Sequence, residues 1–160
     1  KNHKDKTVGK ENLEITKLSD VAVIHEAATF FHKKWGVPID AYIESMQDSL
    51  KSQTGVPAWF YIKKQNEIIA GLGIIENDFH KRKDLSPNIC AVYVKEEFQG
   101  KGIAKSLLNA ACKHLSENNI SDVYLITTHT EFYEHCGFDF YGMIEEDDGE
   151  LIRCYHKKTT

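Results

Sequence analysis

A short polar turn carrying two glycines, Gly100 and Gly102, separates a predicted strand ending at Val94 from a predicted amphipathic helix. The first N–H groups of a helix have no partner within the helix, and the helix dipole places partial positive charge at that end. Because glycine has no Cβ, an anion can come close to the main chain at such a turn. These residue types and their spacing therefore predict a backbone cradle for a phosphate group.

Two glycines one residue apart are a weak signal alone, because many glycine-containing turns merely begin a helix. The turn lacks the third glycine of the dinucleotide-binding fingerprint, and the chain contains no Gly-x4-Gly-Lys-[Ser/Thr] loop. The common nucleotide-binding motifs are therefore excluded, and the anion has to be identified from the rest of the sequence.

The composition of the chain is that of one globular domain. Its 160 residues are 41% hydrophobic and 28% charged, which is ordinary for a protein with a single core. A formal net charge of −4 argues against a general nucleic-acid-binding protein, and no apolar run is long enough to cross a membrane. The four cysteines form no Cys-x-x-Cys pair, so we expect reduced thiols in a cytoplasmic protein, with no disulfide framework and no metal site.

The elements that must position the cradle are predicted in the order β-α-α-β-β-β-α-β-α-β-β. Apolar patterning predicts strands near residues 13–18, 58–62, 67–75, 88–94, 123–126, 138–144 and 151–155, and helices near 21–34, 39–50, 103–116 and 130–136. The strand–helix–strand unit around the cradle predicts a parallel pair. We expect an α/β fold of the mixed α+β type, with a flexible segment over residues 1–12 and one domain over residues 13–160.

Two segments resemble the signatures of one protein family. Gln99–Ala104 fits the [Arg/Gln]-x-x-Gly-x-[Gly/Ala] signature of the GNAT superfamily of N-acetyltransferases, and Phe132–Phe138 is similar to its second signature, Phe-Tyr-x-x-x-Gly-Phe. The predicted element order is also similar, and the resemblance extends from Leu13 to about Tyr155. It implies the GNAT-type acyl-CoA N-acyltransferase fold, a central twisted mixed sheet with helices on both faces.

The resemblance implies where acetyl-CoA would bind as co-substrate. In the family the pyrophosphate lies on backbone N–H groups of the signature loop, and the pantetheine arm pairs with the preceding strand, where two parallel strands splay apart. Open strand N–H and C=O groups need partners, and pantetheine amides supply them. The matching residues are Val92, Tyr93 and Val94 of the strand, Gln99, Gly100, Lys101, Gly102, Ile103, Ala104 and Lys105 of the loop, and Thr127 and Thr128 after the next strand.

The resemblance also implies a catalytic role for Tyr133, which matches the family tyrosine near the thioester sulfur. Attack of an amine on a thioester expels a thiolate, whose conjugate thiol has a pKa of about 8.5, and a phenol with a pKa of about 10 can donate a proton or a hydrogen bond to it. The alternative is a tyrosine that only packs its ring under the sheet. The oxyanion formed in the same reaction needs a fixed donor, for which a strand N–H near Val92 is the candidate.

The general base is not given by the resemblance. In the histone-acetyltransferase branch it is a glutamate near the start of the strand before the loop, and the matching position here is about Ser86, which cannot act as a strong base. An alkylamine has a pKa near 10 and must lose a proton before it attacks. Among Glu76, Asp78, His80 and Asp84 in the nearby loop we favour Asp78 and His80, although each could instead be a solvated loop residue.

Two further features could belong to an acceptor pocket. The acidic run Glu145–Glu150 is either a solvated hairpin tip or a border of the pocket that attracts a cationic amine. Trp35, with Phe31 and Tyr42, could wall the same pocket, or these aromatic residues could belong to the core.

The sequence therefore predicts an acetyl-CoA-dependent N-acetyltransferase that moves the acetyl group directly to a primary amine of a small molecule or peptide. Direct transfer is favoured because no cysteine has a recognisable nucleophile setting. The alternative is a non-catalytic acyl-CoA-binding or sensing module of the same fold. No nucleic-acid or membrane partner is expected, and both a homodimer through the terminal strands and the identity of the amine stay open.

Overall fold

The computed structural model describes residues 7–8 and 13–160. Its strands are β1 (Thr7–Val8), β2 (Leu13–Lys17), β3 (Ala58–Lys64), β4 (Glu67–Ile75), β5 (Asn88–Val94), β6 (Asp122–Thr127), β7 (Asp139–Glu145) and β8 (Leu151–Lys158), and its helices are α1 (Ile24–Trp35), α2 (Ile39–Lys51), α3 (Ile103–Glu117) and α4 (Phe132–His135). The predicted elements are all present in the predicted order. The flexible segment predicted over residues 1–12 lies outside the described residues except for the unpredicted strand β1, so it stays a prediction.

The described strands form one sheet in the order β1-β2-β3-β4-β5-β6-β8-β7. The predicted hairpins β3–β4 and β7–β8 are antiparallel, and the strands on either side of α3, β5 and β6, run parallel as predicted. The expected fold class, a mixed sheet with helices on both faces, is confirmed.

Each face of the sheet has its own apolar core. Helix α3 presents apolar residues at helical spacing, among them Leu107, Leu108 and Leu115, to a core that includes Ile62 and Ile74. Helices α1 and α2 cover the opposite face, where the core is largely aromatic. The ring centroid of Phe31 lies 5.1 Å from that of Trp59 and 5.9 Å from that of Tyr42. Packing of helices on both faces therefore stabilises the sheet and with it the positions of the strand ends.

Two glycines in β4 make room for this aromatic core. A Cβ on Gly71 would lie 2.7 Å from the Phe31 ring, and a Cβ on Gly73 would lie 2.4 Å from the Trp59 ring. Both distances are far shorter than a van der Waals contact, so the two rings can occupy these places only because Gly71 and Gly73 carry no side chain.

Replacement of Gly73 by Ala is expected to lower the free energy of unfolding by about 1–3 kcal/mol, the usual cost of overpacking a core. The added methyl group would push the Trp59 ring off the sheet. Chemical denaturation monitored by circular dichroism measures the effect. Equal stabilities for Gly73→Ala and the wild type would show that the ring can move aside without cost.

Candidate functional site

The sheet opens between β5 and β6. The two strands share a single register pair, Asn88 with Tyr124, and the Tyr124 N–H donates to the Pro87 carbonyl at 3.0 Å. On its other side β6 pairs with β8 along its whole length, from Asp122 to Thr127. Beyond Asn88, β5 therefore has no register partner in β6, and the expected divergence of the two parallel strands is confirmed.

A β-bulge lies in β5 beside this opening. Tyr93 pairs with Gly71 and Cys90 pairs with Gly73, so β5 has one residue more than β4 over this interval, and neither Ala91 nor Val92 has a register partner in β4. Ala91 has a φ of +58°, a left-handed conformation that costs a residue with a Cβ roughly 1–2 kcal/mol. Bulges bend a strand and re-aim its groups, and this one changes the direction of the main chain at Val92.

A cleft of about 440 Å³ runs from this opening toward the α1 and α2 side of the molecule. Five of the residues predicted for the site contribute to its lining: Asp78, Val92, Thr127, Thr128 and Tyr133. Trp35 and Tyr42, proposed as pocket walls, also line it, whereas Phe31 is buried behind them, being 1% exposed. The cleft thus brings together residues from the strand before the glycine turn, the following strand and the short helix α4.

A short 3-10 helix, Glu96–Phe98, separates β5 from the glycine turn, which leads into α3. Gly100 and Gly102 have φ values of +80° and +81°, and a Cβ on either would meet nothing within 4 Å. Among the described residues, no acceptor is found for the backbone N–H groups from Gly100 to Lys105, and the first paired amide is that of Ser106, which donates to Gly102. The Gln99 side chain donates to the Val94 carbonyl at 2.8 Å and so fixes the start of the turn. This arrangement can accept an anion against the main chain.

Tyr133 combines packing with access to the cleft. Its ring lies 5.9 Å from Phe138 and 6.2 Å from Tyr155, centroid to centroid, and the residue is 7% exposed. Its hydroxyl makes no hydrogen bond within the described part of the chain. Burial raises the pKa of the phenol above its usual range, with a smaller contribution from Cys136. The hydroxyl therefore stays protonated at neutral pH and is free to donate to a ligand.

Asp78 is one of two carboxylates in the described lining of the cleft, with Glu146. Burial raises its pKa from 3.8 to about 6, and the nearby Glu146 carboxylate adds to the shift. Tyr42 and Cys90 line the same cleft, and burial, with a smaller contribution from the Asp78 charge, raises the pKa of the Tyr42 phenol and of the Cys90 thiol. The Asp78 carboxylate has no hydrogen-bond partner among the described residues, and its pKa is near that of a base that works at neutral pH.

His80 is placed differently from Asp78, although both were predicted as bases. Its side chain is 0% exposed and does not line the cleft. Its Nε2 lies 2.6 Å from Oδ1 of Asn88, and its Nδ1 accepts the N–H of Arg82 at 3.2 Å. Because both ring nitrogens are engaged inside the protein, the structure favours a positioning role for His80 and leaves Asp78 as the candidate base.

The side chains of Tyr93 and Val94 do not line the cleft either. The Tyr93 ring packs against Phe30 of α1 at 5.3 Å, and Val94 is buried and pairs with Ala70 of β4. Their predicted role concerns only the backbone, so it stays a prediction, as does the role of the turn residues Gln99 to Lys105. Ser86, at the position of the family's glutamate, is outside the lining as well.

Trp59, Phe79 and His129 line the cleft but were not recognised from the sequence. Trp59 was interpreted only as a strand residue, and Phe79 as part of a polar loop. His129 directly follows the two threonines at the end of β6, and its ring centroid lies 6.3 Å from that of Tyr133. Its place beside Thr127 and Thr128 was the one sequence signal that could have identified it.

No group of three or more His, Cys, Asp or Glu side chains suited to a metal ion occurs within residues 7–8 and 13–160. Within the same ranges, none of the helices has the length and apolar character needed for a membrane crossing. All four cysteines are free and buried.

Comparison with known proteins gives one family and a set of similar structures. Residues 21–138 match the family described as the acetyltransferase (GNAT) family. A spermidine N-acetyltransferase mutant from Vibrio cholerae is 17% identical with a TM-score of 0.68, and the match covers 94% of this chain and 95% of that one. No curated protein matches the sequence.

Two of the similar structures contain the coenzyme. An aminoglycoside 6'-N-acetyltransferase in complex with coenzyme A is 14% identical with a TM-score of 0.70, over 91% of this chain and 97% of that one. A protein from Salmonella typhimurium, solved with acetyl-CoA as its cofactor, is 12% identical with a TM-score of 0.67, over 93% of this chain and 95% of that one. At these identities the likeness shows the fold alone.

Proposed function

The chain belongs to the acetyltransferase (GNAT) family, and on that premise we propose that it moves the acetyl group of acetyl-CoA directly to a primary amine. The observation that carries the proposal is the opening of the sheet between β5 and β6 beside a glycine turn with unpaired N–H groups. A coenzyme with a pyrophosphate at one end and an amide-bearing arm at the other matches both parts of this surface.

The residues present fit acetyl-CoA at the turn and along the strand. The space in front of Gly100 and Gly102 is open, and the N–H groups from Gly100 to Lys105 would hold the pyrophosphate. The open edge of β5 from Val92 to Val94 would receive the amides of the pantetheine arm, with Thr127 and Thr128 facing it across the cleft. Lys101 and Lys105 add positive charge near the turn.

At the thioester end, Val92 and Tyr133 would act on opposite sides of the reacting carbon. Val92 follows the bulge at Ala91 and lines the cleft, and its N–H would donate to the oxyanion. The Tyr133 hydroxyl would donate a hydrogen bond to the sulfur as the carbon–sulfur bond breaks. Because the pKa of Tyr133 is raised, donation of a hydrogen bond is favoured over complete transfer of the proton to a thiolate, whose conjugate thiol has a pKa of about 8.5.

At the acceptor end, Asp78 would take the proton of the amine, directly or through water. In water the pKa of an alkylammonium near 10.4 and that of a carboxyl near 3.9 are far apart. Burial narrows this gap, since it raises the pKa of Asp78 to about 6 and lowers the pKa of any amine that enters the cleft. Asp78 would therefore both attract the ammonium group and accept its proton.

Direct transfer, with no acetyl-enzyme intermediate, is supported by the state of the nearby cysteines. Burial raises the pKa of the Cys90 thiol well above its usual value, and burial also raises the pKa of Cys136. The thiolate is the nucleophilic form of cysteine, so both residues are neutral and unreactive at neutral pH.

An assay of thiol release from acetyl-CoA over a panel of primary amines tests the proposal. The panel includes alkylamines, aralkylamines, polyamines, amino acids and a peptide with a free N-terminus. We expect thiol release that depends on one class of amine, with the acetylated amine as second product. Tight binding of CoA without turnover on any amine would instead support a non-catalytic acyl-CoA sensor.

Replacement of Gly102 by Ala is expected to raise the KM for acetyl-CoA by about 10-fold, because it places a methyl group where the pyrophosphate would lie. A Cβ at this position meets no protein atom within 4 Å, so only the left-handed φ of +81° strains the variant. Gly36→Ala is a matched control, since Gly36 has a φ of +79° and equally open surroundings. A parallel rise in the KM for acetyl-CoA in both variants would contradict the role of the turn.

A further inference from the structure

We infer that the acceptor is a primary amine on an apolar body, such as an aralkylamine or an unbranched monoalkylamine, and not a polyamine or a polyhydroxylated amine. This inference rests on the proposed function and specifies its substrate class. It follows from the residues that line the acceptor end of the cleft, between Asp78 and helices α1 and α2.

The walls of the acceptor end are aromatic and aliphatic. Tyr42 and Trp59 form its floor and are 6% and 2% exposed, whereas Trp35 and Phe79 stand at its mouth and are 46% and 56% exposed. Ile75 and Ile152 complete the wall. A body placed among these side chains loses contact with water on several sides, which favours apolar groups by about 25 cal/mol per Å² buried.

Phe79 is held at the mouth by its main chain. Its φ is +64°, in the left-handed region that disfavours a bulky residue. The strain is maintained by contacts with the β7–β8 hairpin, in which the Asp147 N–H donates to the Phe79 carbonyl at 2.9 Å and His80 forms a β-bridge with Glu146. An exposed aromatic ring held in this position offers an apolar surface to a ligand at the mouth of the cleft.

Polar side chains are a minority in the described lining of this end. In the described lining the acidic side chains are Asp78 and Glu146, and no lysine or arginine is present. The Ser45 hydroxyl accepts the Trp59 indole N–H at 2.9 Å, which leaves its own O–H to donate. Further ammonium groups or several hydroxyls on the acceptor would compete for the few polar side chains left once Asp78 has bound the reacting amine, and any group left unpaired would be costly to bury.

The size of the cleft also favours a compact acceptor. Ligand pockets typically occupy about 300–1,000 Å³, and this cleft of about 440 Å³ would hold the thioester end of the donor as well as the amine. The acidic residues Asp147, Asp148 and Glu150 lie on the exposed hairpin beyond the lining. They would attract any cation and increase its rate of association, but they would not select among cations.

The test compares pentylamine with 1,5-diaminopentane, which differ by one terminal ammonium group on the same carbon chain. We expect kcat/KM to be at least about 10-fold higher for the monoamine, and phenylethylamine to be a better substrate than spermidine or kanamycin. Equal or higher kcat/KM for the diamine would overturn the inference even though the proposed function held.

Binding can be followed without turnover, because the chain has two tryptophans and both Trp35 and Trp59 line the cleft. Titration of each amine into the CoA-bound protein should change the tryptophan fluorescence, with tighter binding of pentylamine than of the diamine. If no amine is acetylated, the proposed function fails while this titration still decides the inference. Tighter binding of the diamine would overturn it.

Phe79→Ala is expected to raise the KM for phenylethylamine by about 10-fold and to leave the KM for acetyl-CoA unchanged. Phe79→Gly is the second variant, because glycine relieves the strain of the left-handed φ and so separates loss of the ring from loss of folding. Phe140→Ala removes a comparably exposed ring outside the cleft and serves as control. An unchanged KM for phenylethylamine in both Phe79 variants would contradict the inference.

Discussion

Replacement of Tyr133 by Phe is expected to lower kcat by about 100-fold, the lower end of the range for a proton or hydrogen-bond donor in a transition state. The hydroxyl has no partner in the described protein, so its contribution appears only when a thiolate leaves. The KM for both substrates should change little, because the ring and its packing remain.

The variant should fold as well as the wild type. The hydroxyl faces the cleft and has no hydrogen-bond partner among the described residues, so its removal should change the free energy of unfolding little. Tyr61→Phe is the control, since Tyr61 lies in β3 outside the cleft. Steady-state kinetics with thermal unfolding of both variants measure the effect, and near-normal kcat in Tyr133→Phe would reduce Tyr133 to a packing residue.

Asp78→Asn is expected to lower kcat/KM by about 100-fold or more at neutral pH and to change its dependence on pH. In the wild type, kcat/KM should rise with pH up to about 6, where Asp78 ionises, and then stay level until the amine itself loses its proton near 10. In the variant, only the free amine can react. The rise of kcat/KM that the wild type shows up to about pH 6 should therefore disappear. In the variant kcat/KM should instead increase steadily as the pH approaches the pKa of the amine.

Measurement of thermal stability distinguishes this loss of activity from a loss of folding. The pKa of Asp78 is raised in the folded state, so its contribution to stability is fully present below its unfolded value of 3.8 and is lost as pH rises through about 6. Above that pH the ionised carboxylate is unfavourably buried. The asparagine side chain carries no charge, so at about pH 8 the Asp78→Asn variant should unfold at a temperature no lower than the wild type.

The matched control is Asp84→Asn in the same loop. Asp84 is exposed and forms an ion pair with Arg82, in which Nη2 of Arg82 lies 2.8 Å from Oδ2 of Asp84. It lies outside the cleft. Its replacement should leave the pH profile of kcat/KM unchanged. If kcat/KM of Asp78→Asn still rose up to about pH 6 as in the wild type, the base would be another group. His129, which also lines the cleft, would be the next residue to test.

Much of the fold follows from local sequence patterns. The strands at Glu67–Ile75 and Asn88–Val94 begin and end where predicted, because apolar runs of that length between turn residues admit few other structures. The glycine turn and the start of α3 were equally clear, since Gly102 precedes an uninterrupted helical spacing of apolar residues.

The acceptor end could not be predicted in the same way, because its residues come from segments far apart in the chain. Asp78 and His80 are two positions apart in one polar loop, and no pattern distinguishes them. The structure separates them through long-range contacts: the His80 ring turns inward to Asn88, while the hairpin after β7 holds Phe79 and leaves Asp78 facing the cleft. Trp59 likewise reaches the cleft only because Gly73 lies beneath its ring.

The central claim is tested most directly by the stoichiometry of the reaction of acetyl-CoA with whichever amine of the panel is the best substrate. We predict that free CoA thiol and the N-acetylated amine form in equal amounts, at a rate far above that without protein, and that the intact mass of the protein does not change. Binding of CoA without any thiol release, or an acetyl group retained on the protein, would contradict direct transfer from acetyl-CoA to an amine.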